Sequence, residues 1–202
     1  LHIAGYFAGK EVPVFICFTE TPSGEVKQWC ELYNTFSVVK SCSKLVQRLK
    51  KDYPGFLAEE EKQHAHKKLF DDGIPFTPDC FSTHISKNHA DVCQLFVDAG
   101  MDVNSRDAAG TPMLSIAARA GREDMIQWLV EQGADINAVS QDRGYSAVMD
   151  AVWKGSAPIV EKLISLGANL NNVGNDGQTA LIIATGSTNS KTCRLLVENG
   201  AD

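Results

Sequence analysis

The chain has 202 residues, enough for one or two domains with an adequate core, and its 44% apolar and 22% charged residues are ordinary for a globular protein. No apolar run approaches the ~20 residues that a membrane-spanning helix needs, so membrane insertion is not expected. The net charge of −6 is uneven: residues 1–70 hold ten Lys/Arg against eight Asp/Glu (+2), and residues 71–202 hold nine against seventeen (−8). So acidic a stretch is a poor phosphate binder, which argues against nucleic acid as the partner.

The chain opens Leu1-His2-Ile3-Ala4, without methionine and without the basic, apolar and small-residue order of a signal peptide, and reads as a fragment or a processed start. Val12 to Phe18 is an apolar run rich in β-formers and predicts a buried strand. Thr21-Pro22-Ser23-Gly24 is turn chemistry, Glu25 to Leu32 predicts a short helix, and Phe36 to Val39 a second strand. Ser41 or Ser43 then caps a helix through Leu49 that ends before Pro54-Gly55. Strand, helix, strand, helix predicts part of an α/β layer with parallel strands over residues 1–54. Two strands are too few to stand alone.

Residues 55–72 predict a polar linking helix. Its acids Glu59, Glu60 and Glu61 come early and its bases Lys67 and Lys68 late, as the helix dipole prefers. His64 and His66 lie two apart, face different directions and are expected at the surface.

From residue 73 onward the chain repeats. Closing glycines fall at Gly100, Gly133, Gly167 and Gly200, in steps of 33, 34 and 33. Asn104, Asn137 and Asn171 step by 33 and 34, and the opening glycines Gly110, Gly144 and Gly177 by 34 and 33, so one extra residue sits between Asn137 and Gly144. Within Asp107–Asn137, Leu114, Ile116, Ala117 and Ala118 form one apolar face, Gly121 breaks the chain, and Met125, Ile126, Leu129 and Val130 form a second. That is a turn and two short helices, neither able to bury its face alone.

A period of this length built from a turn and two helices resembles the ankyrin-repeat family. The expected fold class is mainly α: an ankyrin array of about four repeats (73–105, 106–139, 140–173 and 174–202) preceded by the partial α/β segment. Repeat one is degenerate. Asp79 stands where a helix-capping Thr is usual, His84 and Ile85 replace a small alanine pair, and Asn88 replaces the mid-repeat glycine. In repeat two, Thr111-Pro112 falls one residue earlier than the family's Thr-Pro. Repeat four stops at Asp202, inside its closing turn, and further repeats are expected beyond it.

A second resemblance covers residues 2–50. Ala4-Gly5-Tyr6-Phe7-Ala8, Pro13-Val14 opening a strand, and Tyr33 to Phe36 before a final strand are similar to the C-terminal half of nucleoside 2-deoxyribosyltransferase-like and TIR-like domains. The former family places a catalytic Glu just before the Gly-Tyr, where this chain has Ile3, so no catalytic residue carries over.

Six cysteines (Cys17, Cys30, Cys42, Cys80, Cys93, Cys193) are scattered without CxxC pairs and read as reduced thiols of a cytoplasmic protein. Cys93 and Cys193 share one buried second-helix position, where cysteine acts as a small hydrophobe. Cys80, His84, His89 and Cys93 (C-x3-H-x4-H-x3-C) put each Cys/His pair on one helical face, yet zinc sites usually show tighter cysteine spacing. The expectation is helix packing and no metal. No Gly-x-Ser-x-Gly elbow, P-loop or Rossmann glycine pattern is present, so no catalytic residue is expected in this chain, and no cofactor.

Family resemblance implies a concave face, made by turn tips and first helices, that binds a protein partner. The positions that map onto it are Ser86, Lys87, Arg106, Ala108, Thr111, Arg119, Asp142, Arg143, Tyr145, Trp153, Lys154, Asn175, Asp176, Gln178 and Ser187. The pattern puts Tyr145 and Trp153 together on the open face of one repeat, and large aromatics and Arg are frequent hot-spot residues. Trp153 is either a partner anchor or packing against Arg119 or Ser187; Trp128 is expected to be half-buried on the convex side. The function expected is a protein-interaction scaffold. Alternatives are the targeting arm of a nucleotide-processing or signalling enzyme whose catalytic half lies upstream, or a structural subunit of a larger assembly.

Overall fold

The computed structural model describes residues 2–4, 14–17, 36–39, 54–187 and 189–202. Two compact units divide at Glu61/Lys62. The first holds a three-stranded sheet ordered β1 (His2–Ala4), β2 (Val14–Cys17), β3 (Phe36–Val39). β2 and β3 run parallel, Val14 opposite Phe36, as the α/β reading requires. β1 runs antiparallel to β2, with His2 opposite Cys17, so the sheet is mixed rather than all-parallel. Three residues are too short to show the period-two alternation by which strands are recognised, which is why β1 escapes a sequence reading. The Thr21–Gly24 turn, the helices over Glu25–Leu32 and up to Leu49, and the Gly5-Tyr6-Phe7-Ala8 stretch lie outside the described residues.

Helix α1 (Pro54–Asp71) is less uniformly polar than its charge run suggests, because Ala65 and Leu69 are buried. His66 is not a surface residue either. It is half-buried, edge-on to Phe76 with ring centroids 4.2 Å apart, and Phe76 in turn stacks on Phe96 at 5.8 Å. The polar face was legible, whereas the aromatic stack is made with residues distant in sequence.

Four helix pairs follow: α2 (Pro78–Lys87) with α3 (Ala90–Asp98), α4 (Met113–Ala120) with α5 (Glu123–Glu131), α6 (Ala147–Trp153) with α7 (Ala157–Ser165), and α8 (Ala180–Gly186) with α9 (Ser190–Glu198). First helices pack in a row, α2 on α4 on α6 on α8, and second helices α5, α7 and α9 form another. Ala117 and Ala118 of α4, like Ala147 and Ala151 of α6 and Ala180 and Ala184 of α8, are wholly buried and let neighbouring first helices approach closely. Larger side chains (Phe81, Ile85, Phe96, Met125, Ile126, Leu129, Met149, Ile159, Leu163 and Leu196) fill the space between the rows.

Each first helix ends where the chain reverses. Asn88 adopts φ +62° there, as Gly121 adopts φ +70° in the next repeat, and both donate their N–H back to the preceding turn. Asparagine is the residue after glycine that best tolerates this left-handed conformation, so the degenerate first repeat keeps its geometry. The cap of α2 is Thr77, whose Oγ1 accepts from the N–H of Cys80, with Pro78 opening the helix. Asp79 therefore does not take the capping place. Its carboxylate accepts the N–H of Ala108 at 2.7 Å and ties repeat one to the turn of repeat two.

The closing turns are stapled by the periodic asparagines. Asn104 Oδ1 accepts the N–H of Asp135 (2.8 Å) while its Nδ2 donates to the carbonyl of Gly133 (3.2 Å). Asn171 does the same two array steps later, with the N–H of Asp202 (3.1 Å) and the carbonyl of Gly200 (3.3 Å). Asn137 Oδ1 accepts the N–H of Asn169 at 2.8 Å. Thus a period visible in sequence is a repeat-to-repeat hydrogen bond in structure.

Candidate functional site

The surface of interest gathers around α6 and the turn that precedes it. Ser146 caps the helix, accepting the N–H of Met149, and everything from Ala147 to Val152 is buried. Trp153 ends the helix with 53% of its surface exposed. Arg143, in the turn, lies with its guanidinium carbon 5.3 Å from the Tyr145 ring centre and 5.9 Å from that of Trp153. Both distances lie within the range of a cation–π attraction. The turn itself is fixed from the next repeat, since the N–H of Asn175 donates to the carbonyl of Arg143 (2.8 Å) and Asn175 Nδ2 to that of Asp142 (3.1 Å).

Tyr145 is not on the open face. Only 5% of it is exposed; its hydroxyl donates to Asp176 Oδ2 at 2.7 Å, and its ring lies so near Gly174 that a Cβ there would meet it at 2.8 Å. The repeat pattern puts Tyr145 at a turn tip, but the following turn closes over it, and nothing in one repeat's sequence announces that. Thr111 is hidden for a similar reason: it is 2% exposed, with its N–H bound to Asp107 Oδ1 at 2.8 Å. Arg106 is half-buried and works inside the chain, its Nη1 donating to the carbonyls of Gly110 (3.0 Å) and Val139 (2.7 Å). Asp142, Arg143, Lys154 and Asp176 are exposed, as are Lys87, Ala108, Asn175 and Ser187; Ser86 and Gln178 are half-buried.

Arg119, of α4, reaches to α6. Its Nε meets Asp150 Oδ1 at 3.1 Å, and Asp150 is 3% exposed while Arg119 is 31%. Burial pushes the Asp150 carboxyl above its usual range, against the pull of Arg119. Sequence reasoning missed Asp150. The signal was present, because in the run Ala147-Val148-Met149-Asp150-Ala151-Val152 an acid holds the position that Ile116 holds one repeat earlier.

The acids of the turns around Tyr145 act within the chain. Hydrogen bonds from Ser140 and from the Arg143 N–H hold the Asp142 carboxyl below the usual range. Tyr145 and then the Gln178 N–H do the same for Asp176, and the shared bond raises the Tyr145 phenol. Asp142 and Arg143 lie 3.6 Å apart, a loose pair between two half-exposed side chains.

The Cys/His constellation is packing. Cys93 is fully buried, its thiol pushed up to about 12 by desolvation, and His84 Nδ1 and His89 Nδ1 lie 3.0 Å apart, sharing one proton between them. Cys193, at the equivalent place in the last repeat, is half-buried rather than buried. Among the described residues no three His, Cys, Asp or Glu side chains gather as metal ligands. Trp128 is half-buried as expected, donating Nε1–H to Gln94 Oε1 at 3.2 Å. A cleft of about 140 Å³ lined by Val103, Asn104, Met113, Leu114 and Ala134 lies between closing turns and holds no candidate residue except Arg106 at its edge.

The family assigned to these repeats, ankyrin repeats in three copies, matches residues 44–140, 81–173 and 139–202. The chain belongs to the ankyrin-repeat family. It is 35% identical over 151 residues to a putative ankyrin repeat-containing protein of Treponema pallidum (strain Nichols), covering 75% of this chain and 51% of that protein. It is also 35% identical over 102 residues to the B-cell lymphoma 3 protein homolog of Mus musculus (50% of this chain, 23% of that one). With human ankyrin repeat and SOCS box protein 6 it shares 29% over 171 residues (75% and 39%). The chain thus spans about half the length of the first of these relatives and less of the others. Ankyrin repeats are protein-interaction modules, and among the described residues no helix is long and apolar enough to cross a membrane.

Proposed function

We propose that the array holds a partner protein on the concave face of its first helices, centred on repeats two and three, with Trp153 as anchor and Arg143, Lys154 and Arg119 around it. The observation that carries this is the exposure of Trp153: a large aromatic, 53% open, at a first-helix position where the neighbouring repeats have Arg119 and Gly186. Tryptophan and arginine are enriched at binding hot spots, tryptophan because its ring buries a large area. A surface already fixed by turn-to-turn hydrogen bonds loses little further freedom on binding.

Trp153→Ala is expected to weaken the complex with a native partner by about 2 kcal/mol or more, roughly thirtyfold in Kd, with the melting temperature nearly unchanged. Calorimetric titration and a thermal melt of both proteins decide it. Unaltered affinity with a large drop in melting temperature makes Trp153 packing instead.

A second reading makes the array the targeting arm of an enzyme whose other half includes the N-terminal sheet. The parallel pairing of β2 with β3 favours it, since parallel strands belong to α/β folds. Nucleoside or nucleotide hydrolysis by the full-length protein, absent from the array alone, is its test.

A further inference from the structure

Resting on the reading above, we propose that the surface around Trp153 takes an acidic segment of the partner, its carboxylates on Arg143 and Lys154 and an apolar side chain against the indole. The argument is an inventory of donors and acceptors. On the turns and first helices of repeats one to four the carboxylates are already engaged within the chain. Asp79 holds the Ala108 N–H; Asp107 holds those of Ala109 and Thr111; Asp142 approaches Arg143 Nε at 3.6 Å. Asp150 holds Arg119, and Asp176 accepts from Tyr145 and Gln178.

The cations are not so matched. Arg143 faces two rings, feels the carboxylates of Asp150 and Asp176 and approaches Asp142 loosely at 3.6 Å, yet its guanidinium stays half-exposed. Lys154 follows Trp153, is exposed, and its ammonium has no partner among the described residues. Lys87, at the end of α2, stands likewise exposed. Arg143 and Lys154 therefore stand beside the indole as exposed donors.

The acidity of the array does not oppose this. Its unshared acids lie mainly on second helices: Asp91 on α3, and Glu123 and Asp124 on α5. At physiological ionic strength charges more than about 8 Å away are largely screened, so the local donors decide which charge is accepted. A guanidinium held over two aromatic faces is also pre-oriented, which lowers the entropy lost when a carboxylate docks on it.

The test is selection from a phage-displayed library of random peptides, about twelve residues long, on the full chain, its Arg143→Gln/Lys154→Gln form and its Trp153→Ala form, each first shown by thermal melt to be folded. The native chain is expected to enrich Asp and Glu about threefold over the library, beside an apolar residue, and the double variant to lose that enrichment while still selecting apolar peptides. Binding of the selected peptide is expected to fall about tenfold as salt rises from low to several hundred millimolar. Enrichment of Lys and Arg, or of neither charge, overturns the proposal while leaving the anchoring role of Trp153 intact. Acidic enrichment that persists in the double variant overturns it too. Identical peptides chosen by the native chain and the Trp153→Ala form remove the anchor reading itself, and no selection above background by the native chain overturns both.

Discussion

His84 and His89 share a single proton across the turn that joins α2 to α3. Their Nδ1 atoms lie 3.0 Å apart, so one ring must be neutral and accept. Desolvation first, then His89 and Lys87, push the His84 imidazole below its ordinary range, with Asp91 pulling the other way. A histidine whose folded value is lowered favours the neutral form in the fold. Its contribution is therefore complete above the unfolded value of about 6.5 and is lost as pH falls through the lower folded value. The urea midpoint is expected to decline from pH 7 to pH 5, and His84→Gln to flatten that decline; an equal slope in the variant would clear His84 of the effect. Asn88, between these two histidines, was readable as a glycine substitute because few residues accept φ +62°. The shared proton was not readable, since it depends on two side chains converging over a turn.

Between elements, the Arg119–Asp150 pair ties α4 to α6 at a position where the repeats before and after have isoleucine, Ile116 and Ile183. Two of its atoms, Arg119 Nη2 and Asp150 Oδ2, are buried and have no hydrogen-bond partner in the protein. Taking a carboxylate out of water is expensive, and one bond to a residue 31% exposed offsets only part of that. Asp150→Ala is expected to destabilise the protein by about 2 kcal/mol, by stranding Arg119 and opening a small cavity. Asp150→Ile with Arg119→Leu is expected to match or exceed the native stability, because an apolar pair needs no compensation. Chemical denaturation of the three proteins separates these outcomes, and a double variant weaker than Asp150→Ala would show that the pair stabilises beyond its desolvation cost. An ion pair of this kind is hard to see in sequence. Arg119 reads as an outward cation and Asp150 as an oddity in a greasy run, and only stacking at the repeat interval brings them together. For the same reason the helices and their order were legible from Gly100, Gly133, Gly167 and the alanines, whereas the fate of Tyr145 and Thr111 was not. Periodicity reports what each repeat has in common, and burial at the turns is decided by the neighbour.

Across the array, stability is the sum of what each pair of helices makes with its neighbours. Met149 of α6 is fully buried, while Ile182, its counterpart in α8, is 51% exposed. Val197 of α9 is exposed in the same way. In unit 62–202 helix α7 packs between α5 and α9, and α9 packs against α7 and α8. In a polypeptide that stops at Asp202, amide hydrogens of Ser190–Glu198 are expected to exchange markedly faster than those of Ala157–Ser165, because there the α8/α9 pair opens without breaking a second interface. Hydrogen exchange followed by mass spectrometry measures this directly, and equal protection of the two helices would mean that the array opens as one unit.

The asparagines that bind one closing turn to the next have a chemical side. Deamidation keeps the oxygen that accepts the backbone N–H but turns the donating nitrogen into a second oxygen. At Asn104 and Asn171 that oxygen would face the carbonyls of Gly133 and Gly200 with no proton to share, whereas Asn137 uses only the oxygen it would retain. Ageing of the polypeptide is thus felt unevenly, at two of its three seams.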